Sequence, residues 1–122
     1  MSEGLLALGI QALGLDLSSV NLADLELFLQ EMGRWNQGHN HTTSENEKES
    51  IILYLIDYIA VLPVLRRCLK DPSPRIADLG SGGGLPAIPI AIVQPGWRIF
   101  LIEAIRKKTA FLQHVRGKLK LN

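Results

Sequence analysis

Apolar residues recur at helical spacing through the N-terminal part of the chain. The first group predicts a short helix that ends at Gly14, and it consists of Leu5, Leu6, Leu8, Ile10 and Leu13. The second group predicts a longer helix, with Asn21 as its N-cap and Asp24 in its first turn. The apolar stripe of this second helix comprises Leu22, Leu25, Phe28 or Leu29, Met32 and Trp35. Such a stripe indicates a helix that packs on a core.

A third helix is predicted by Ser44 and Glu47, which have the spacing of a capping box. It continues to about Leu62, before Pro63. Asp57 lies among its apolar residues, and a buried carboxylate is costly unless it has a partner. Asp57 is therefore expected to have a partner or to face a cavity. The alternative is that it lies on a solvent-facing strip of the helix.

Two apolar runs in the C-terminal part predict buried strands, at 76–79 and 97–102. A helix-compatible segment at 85–93 separates them, and a strand, a helix and a strand in this order form a parallel pair. The predicted fold is α/β with about two parallel strands. We expect an N-terminal helical region at 1–71 and a strand-containing unit at 72–122.

A glycine-rich loop connects the first predicted strand to the following helix. It contains four glycines in five residues, namely Gly80, Gly82, Gly83 and Gly84. Glycines allow positive φ and the close approach of a ligand to the backbone. The helix N-terminus beyond them contributes free N–H groups and partial positive charge. The pattern predicts a polar ligand, often one bearing a carboxylate or a phosphate.

Several kinds of glycine-rich loop can be compared with this one. A Walker loop requires Gly-Lys-Ser/Thr, which is not present here. A dinucleotide fingerprint fits Gly82, Gly84 and Ala87, with Glu103 beyond them. The Asp-x-Gly-x-Gly-x-Gly loop of S-adenosylmethionine (SAM) methyltransferases matches from Asp78 to Gly84. A carboxylate before the glycines suits an ammonium and a sulfonium and repels a pyrophosphate, which favours the SAM loop. A plain glycine-rich turn without a ligand remains open.

The residues around the loop carry a family resemblance. The segment Gly-Ser-Gly-Gly-Gly-Leu-Pro-Ala-Ile-Pro-Ile-Ala-Ile at 80–92 resembles the first motif of the bacterial 16S rRNA guanine-N7 methyltransferases, the glucose-inhibited division protein B (GidB) family. Pro86 and Pro89 make this resemblance specific, while the family normally has Gly in place of Ala87. The segment at 35–63 also aligns with the family without a gap, and it shares Trp35-Asn36, Asn40, Thr42, Glu49, Asp57 and Ala60-Val61-Leu62-Pro63.

The resemblance implies a Rossmann-like, SAM-dependent methyltransferase fold, incomplete and with an N-terminal helical cap. It assigns SAM binding to Asp78, Gly80, Gly82, Gly84, Leu85 and Glu103. Asp78 would bind the ammonium, the glycines would admit the methionine part, and Glu103 would accept hydrogen bonds from the ribose hydroxyls. Guanine N7 carries no proton, so the implied reaction requires no general base. No catalytic residue and no metal site are predicted.

At four further positions the chain departs from the family. Leu53-Tyr54 replaces the usual Arg-His pair, Tyr58 replaces Ser, and His41 replaces Leu. In the family, the Arg and His would contact substrate RNA or the active-site wall. Their replacement puts RNA binding and turnover in question.

Charge is unevenly distributed along the chain, although the net charge is only +1. Residues 98–122 contain seven basic residues and one acidic residue. Such a segment fits a nucleic-acid partner, here small-subunit rRNA, or equally a solvated helix face. Arg106, Lys107 and Lys108 precede the last predicted helix, and an anionic partner would offset their positive charge at its N-terminus. The buried stripe of this helix is predicted to be Phe111, Leu112, Val115 and Leu119.

The family resemblance covers the N-terminal portion only. With two strands, the first strand would keep an unpaired edge, and such a small parallel sheet is not stable by itself. We therefore expect a truncated form of an rRNA-methylating enzyme, or a chain that pairs with another, including self-association through the sheet edge. The alternatives are a catalytically dead half-domain that binds RNA or protein, and a nicotinamide-dependent oxidoreductase.

Cysteine content and hydropathy indicate the compartment. The single cysteine, Cys68, cannot form an internal disulfide and lies in an apolar stretch, which predicts a buried thiol in a reducing cytoplasm. The sequence shows no secretion signal, and its longest apolar run is too short to span a bilayer.

Overall fold

The computed structural model describes the backbone of residues 2–37 and 45–122. Within these ranges the elements are, in chain order, α1 (Ser2–Ala12), α2 (Ser19–Gln37), α3 (Glu45–Ile59), α4 (Val61–Cys68), β1 (Arg75–Leu79), α5 (Ala87–Val93), β2 (Arg98–Ile102) and α6 (Arg106–Leu119). The predicted succession of helices and strands is therefore confirmed, except that the third predicted helix is divided in two and several boundaries differ.

A glycine follows the end of α1, and a serine caps the start of α2. Gly14 follows α1 and has a φ of 73°, a left-handed conformation that is common after a helix end. The predicted end of the first helix at Gly14 agrees with this. The predicted cap of α2 was wrong, because the Ser18 hydroxyl accepts a hydrogen bond from the Asn21 N–H at 3.2 Å. Ser18 is thus the N-cap, and Asp24 lies beyond the first turn.

The third predicted helix is two helices. α3 ends at Ile59, and after Ala60 the chain starts α4. Pro63 therefore lies in the first turn of α4 instead of terminating a helix, and a proline is tolerated there because the N–H it lacks has no helical partner. The side chains of Ser44 and Glu47 lie outside the described residues, as do Asn40, His41 and Thr42.

Two predictions about side chains on α3 and α4 can be compared with the structure. Asp57 is exposed, which agrees with the solvent-facing alternative. The prediction of a buried Cys68 was wrong, since the thiol lies at the exposed C-terminal end of α4.

The sheet consists of β1 and β2 in parallel, with Asp78 paired with Leu101 and Leu79 with Ile102. Side chains alternate along both strands between a partly buried and an exposed face. Ile99 and Leu101 pack against the core, and α5 contacts β2. In the described part of the chain β1 has one edge without a strand partner, as predicted, and β2 also has one.

One hydrophobic core extends from the N-terminal helices to α5 and α6. Helix α2 contacts both α5 and α6, and Leu25 and Phe28 are fully buried there. The predicted stripe of α6 is confirmed in full, since Phe111, Leu112, Val115 and Leu119 are its buried residues. The division of the chain at 71/72 stays a prediction.

Candidate ligand-binding site

The glycine loop lies at the C-terminal edge of the sheet. The Gly80 and Ser81 N–H groups both donate to the carbonyl of Ile102, at 2.8 and 3.2 Å, which joins the loop to the end of β2. The Gly84 N–H donates to the Ser81 carbonyl at 2.8 Å and closes the turn. Ligands of parallel α/β sheets bind at this edge, where the strands end.

Positive φ occurs at three of the four loop glycines, with values of 73° at Gly80, 54° at Gly82 and 88° at Gly84. A Cβ on Gly80 would have no heavy atom within 4 Å, so open space adjoins the loop there. A Cβ on Gly84 would lie 2.6 Å from Ile88 Cγ1, so this glycine permits the loop to pack on α5. The glycines thus have two physical functions, an open backbone surface and a tight contact with the core.

Helix α5 begins at Ala87, two residues later than predicted. Leu85 precedes Pro86, and a residue before proline is disfavoured in helical conformation. Leu85 is half-buried and packs against the core.

Asp78 carries an unpartnered buried oxygen. Its Oδ2 is shielded from solvent and has no hydrogen-bond partner among the described residues. The Ser81 hydroxyl donates to the backbone carbonyl of Asp78 at 3.0 Å, which fixes the strand end. Because an unpaired buried carboxylate oxygen is costly, a donor from a ligand would be stabilised at this position.

Glu103 directly follows β2 and bridges the two strand ends. Its Oε1 accepts a hydrogen bond from the Gly82 N–H at 2.8 Å, and its Oε2 accepts one from the Ile105 N–H at 2.9 Å. The bond from Ile105 contributes most to lowering the pKa of Glu103 below its ordinary value of 4.5, and the bond from Gly82 comes next. Each carboxylate oxygen has a second acceptor position, so the bridge leaves Glu103 able to accept further hydrogen bonds.

The basic residues Arg106, Lys107 and Lys108 form the first turn of α6 and are exposed. The positive charge of Lys108 also lowers the pKa of Glu103, after the two hydrogen bonds and the opposing effect of burial. The structure therefore brings Asp78, the glycine loop, Glu103 and this basic turn to one edge of the sheet. Leu53, Tyr54 and Tyr58 are exposed on α3.

Sequence reasoning missed a polar cluster between α2 and α6. Glu31 is only 5% exposed, and its Oε2 lies 2.8 Å from His114 Nε2, while Arg34 Nη1 lies 3.4 Å from Oε1. The Trp35 ring packs against Phe111 and stacks on His114, with centroid separations of 5.3 and 6.4 Å. A signal was available, because Glu31 lies one turn before Trp35 beside the apolar stripe of α2. The cluster ties the helical region to α6.

Within the two described ranges, no helix combines the length and the hydropathy needed to cross a bilayer.

Comparison with known proteins identifies the family. The family model described as "GidB: rRNA small subunit methyltransferase G" matches residues 21–122. A protein of Polynucleobacter asymbioticus named ribosomal RNA small subunit methyltransferase G is 77% identical over 121 residues, which cover 99% of this chain and 54% of that protein. Proteins of the same name from Nitrosospira multiformis and Burkholderia cenocepacia are 42% and 38% identical, over 95% and 98% of this chain and 51% of each relative. The chain thus spans about half the length of these relatives. It belongs to the GidB, or rRNA small subunit methyltransferase G, family, and corresponds to the N-terminal portion of its members.

Proposed function

We propose that this chain carries the SAM-binding part of a SAM-dependent small-subunit rRNA (guanine-N7) methyltransferase. The observation that carries the proposal is the unpartnered buried oxygen of Asp78 beside a loop with three positive-φ glycines. In this proposal residues 1–71 form a helical cap and residues 72–122 form the first half of the Rossmann-like domain.

The residues at the sheet edge fit the chemical groups of SAM. The Asp78 carboxylate suits an ammonium group, which supplies both a hydrogen-bond donor and an opposite charge. The open space beside Gly80 and the backbone at Gly82 and Gly84 admit the methionine part, and Leu85 packs nearby. Glu103, with its lowered pKa, is ionised at neutral pH and can accept the ribose hydroxyls on its remaining acceptor positions.

The proposed reaction places few demands on acid–base groups. When bound, SAM supplies an electrophilic methyl group for the lone pair of guanine N7. Since N7 carries no proton, no side chain of this chain is assigned as a general base, and the contribution of the protein is to orient the two reactants and exclude water.

The proposed substrate is rRNA of the small ribosomal subunit, and the proposed location is the cytoplasm. Arg106, Lys107 and Lys108 are assigned to phosphate contacts. They are exposed, and their charges oppose the dipole of α6 until an anion lies against them.

The proposal is tested by calorimetric titration of the purified chain with SAM and, separately, with NAD. We expect SAM affinity in the micromolar range and no signal with NAD. Asp78→Asn should weaken SAM binding about 10–100-fold, because it removes a charge-assisted hydrogen bond. Asp57→Asn is the matched control, since Asp57 is exposed on α3, and it should leave the affinity unchanged. Binding of NAD would contradict the proposal. rRNA binding without SAM binding would favour a catalytically dead, RNA-binding half-domain.

We also propose that the chain alone self-associates through the free edge of β1, because an unpaired strand edge is a template for pairing. Light scattering should then give an apparent mass that rises with concentration. A monomeric mass at all concentrations would contradict this.

A further inference from the structure

Two aromatic rings are exposed together where α2 packs on α6. Trp35 is 40% exposed, and the side chain of His114 is 46% exposed. The planes of the two rings are only 23° apart, and the buried Phe111 packs against Trp35. Tryptophan is enriched at interfaces, because it combines a wide apolar ring with one polar group. The exposed aromatic pair, Trp35 and His114, is therefore a candidate contact surface.

The buried Glu31 fixes the orientation of the His114 ring. Its Oε2 lies 2.8 Å from His114 Nε2, and because a carboxylate oxygen accepts hydrogen bonds, Nε2 is the donor. No described residue bonds the other ring nitrogen, Nδ1. Burying a carboxylate costs free energy unless it is hydrogen-bonded, and here the bond holds a ring that is half exposed. The aromatic pair is thus a fixed surface with a free hydrogen-bonding atom on it.

Basic side chains flank the exposed aromatic pair. Arg34 precedes Trp35 on α2, and its side chain is 73% exposed. On α6, Lys107 lies two turns before His114 and Lys118 lies one turn after it, so the three side chains share one face of the helix. Both lysines are exposed, and neither forms an ion pair with a described residue. These five residues form a basic–aromatic strip, which extends about 16 Å along α6 at 1.5 Å per residue.

We propose that the basic–aromatic strip binds a single-stranded segment of RNA. An unpaired base stacks on the exposed aromatic pair, and the phosphates beside it contact Arg34 and Lys118. Lys107 also belongs to the basic first turn of α6, so the strip is continuous with the phosphate contacts proposed there. A double helix fits the strip poorly, because its bases are already stacked on each other. The inference rests on the proposed rRNA substrate and adds a contact surface that is separate from the SAM site.

Tryptophan fluorescence tests the stacking directly. The chain has two tryptophans, so Trp35 is the single one in a Trp97→Phe background. A mixed-sequence RNA of about 12 nucleotides is added either as a single strand or annealed to its complement. We expect the single strand to quench the emission of Trp35 saturably, at least about twofold, and the duplex to leave it nearly unchanged. Absence of quenching by the single strand would overturn the proposal, and so would equal quenching by an oligoglutamate peptide, which would indicate an acidic protein partner instead.

Substitutions test the contribution of each ring to affinity, measured by fluorescence anisotropy of the labelled single strand. Trp35→Leu should weaken binding about 5–100-fold, because it removes a stacking surface. His114→Gln keeps a donor for Glu31 and removes the ring, and it should weaken binding at least about threefold. Phe100→Leu replaces an aromatic residue that is 52% exposed on β2, and this matched control should bind as the wild type does. Urea unfolding establishes the conditions in which each variant is folded. Wild-type affinity in folded Trp35→Leu would overturn the proposal.

Charge substitutions separate the strip from the proposed function. Lys118→Gln should reduce the slope of log K against log salt by about 0.7, the value for one phosphate contact on a single strand, whereas Lys70→Gln, at an exposed site before β1, should not change it. Suppose that Trp35→Leu and Lys118→Gln bind RNA normally while neutralising residues 106–108 weakens binding. The strip is then refuted and the proposed function stands. If the chain binds no RNA, the strip and the proposed rRNA substrate are both refuted, and titration with SAM still tests the cofactor site by itself.

Discussion

Replacing Gly84 with alanine should lower the stability of the chain through two separate effects. The first is conformational, because φ at Gly84 is 88° and a Cβ in this region costs about 1–2 kcal/mol. The second is steric, because the added Cβ would lie 2.6 Å from Ile88 Cγ1 and 3.2 Å from Leu112 Cδ2. Both neighbours are buried and cannot move aside freely, and such overpacking costs about 1–3 kcal/mol. The expected loss of unfolding free energy is therefore about 2–5 kcal/mol.

The same loop provides two matched controls. Gly80→Ala has a φ of 73° but open space around its Cβ, so it should cost only the conformational part, about 1–2 kcal/mol. Gly83→Ala has neither a positive φ nor a near neighbour, and its effect should stay within about 0.5 kcal/mol. The three variants thus separate backbone strain from steric conflict.

Urea unfolding followed by circular dichroism gives the three free energies on one scale. The thermal midpoint should fall by about 4 °C for each kcal/mol lost in a chain of this size. The predicted order of stability is Gly83→Ala, then Gly80→Ala, then Gly84→Ala. If Gly84→Ala proved as stable as Gly83→Ala, the close packing of Gly84 on Ile88 and Leu112 would be refuted.

Three further predictions concern side chains around the site. The pKa of Glu103 is lowered in the folded chain, so the ionised carboxylate stabilises the fold. This contribution to the unfolding free energy should be complete above about pH 4.5. It should be lost as the pH falls through the lowered pKa of the folded state. Acid titrations of the wild type and Glu103→Gln should then converge at low pH, and a constant difference would contradict the carboxylate bridge. His114→Ala should cost about 1–3 kcal/mol, because it leaves the buried Glu31 carboxylate without its closest partner, whereas the neighbouring exposed Gln113→Ala should be near neutral in the same urea assay. Neutralising basic residues 106–108 together should weaken rRNA binding and reduce the slope of log K against log salt by about 2–3, and an unchanged slope would exclude them as phosphate contacts.

Local sequence patterns predicted most of the fold. Strand β1, the turn after it and the stripe of α6 follow from apolar periodicity and glycine content, which act over a few residues. The wrong predictions concern places where two local conformations have similar free energies. Ser18 and Asn21 are both good N-caps, and Pro63 can end one helix or lie in the first turn of the next. For Cys68, apolar neighbours did not determine on which side of α4 the thiol lies.

Contacts between distant residues were beyond local reasoning. The motif brought Gly82 and Glu103 into one site, but the hydrogen bond between them joins residues 21 positions apart and depends on the register of two strands. The Glu31–His114 pair spans 83 positions and depends on how α2 packs across α6. Neither pairing follows from spacing or composition, although the position of Glu31 beside the apolar stripe of α2 marks it as a candidate buried carboxylate.

SAM is proposed to bind at the sheet edge between Asp78 and Glu103. The most direct test follows the backbone amide resonances of the labelled chain by NMR during a titration with SAM. We predict saturable shifts of the amide resonances of Gly80, Gly82 and Gly83, and of Ile105, whose N–H donates a hydrogen bond to Glu103. The amide of Leu53 on α3 should not shift. A titration that reaches saturation with shifts only outside the glycine loop, or that produces no shifts at millimolar SAM, would contradict SAM binding at this edge.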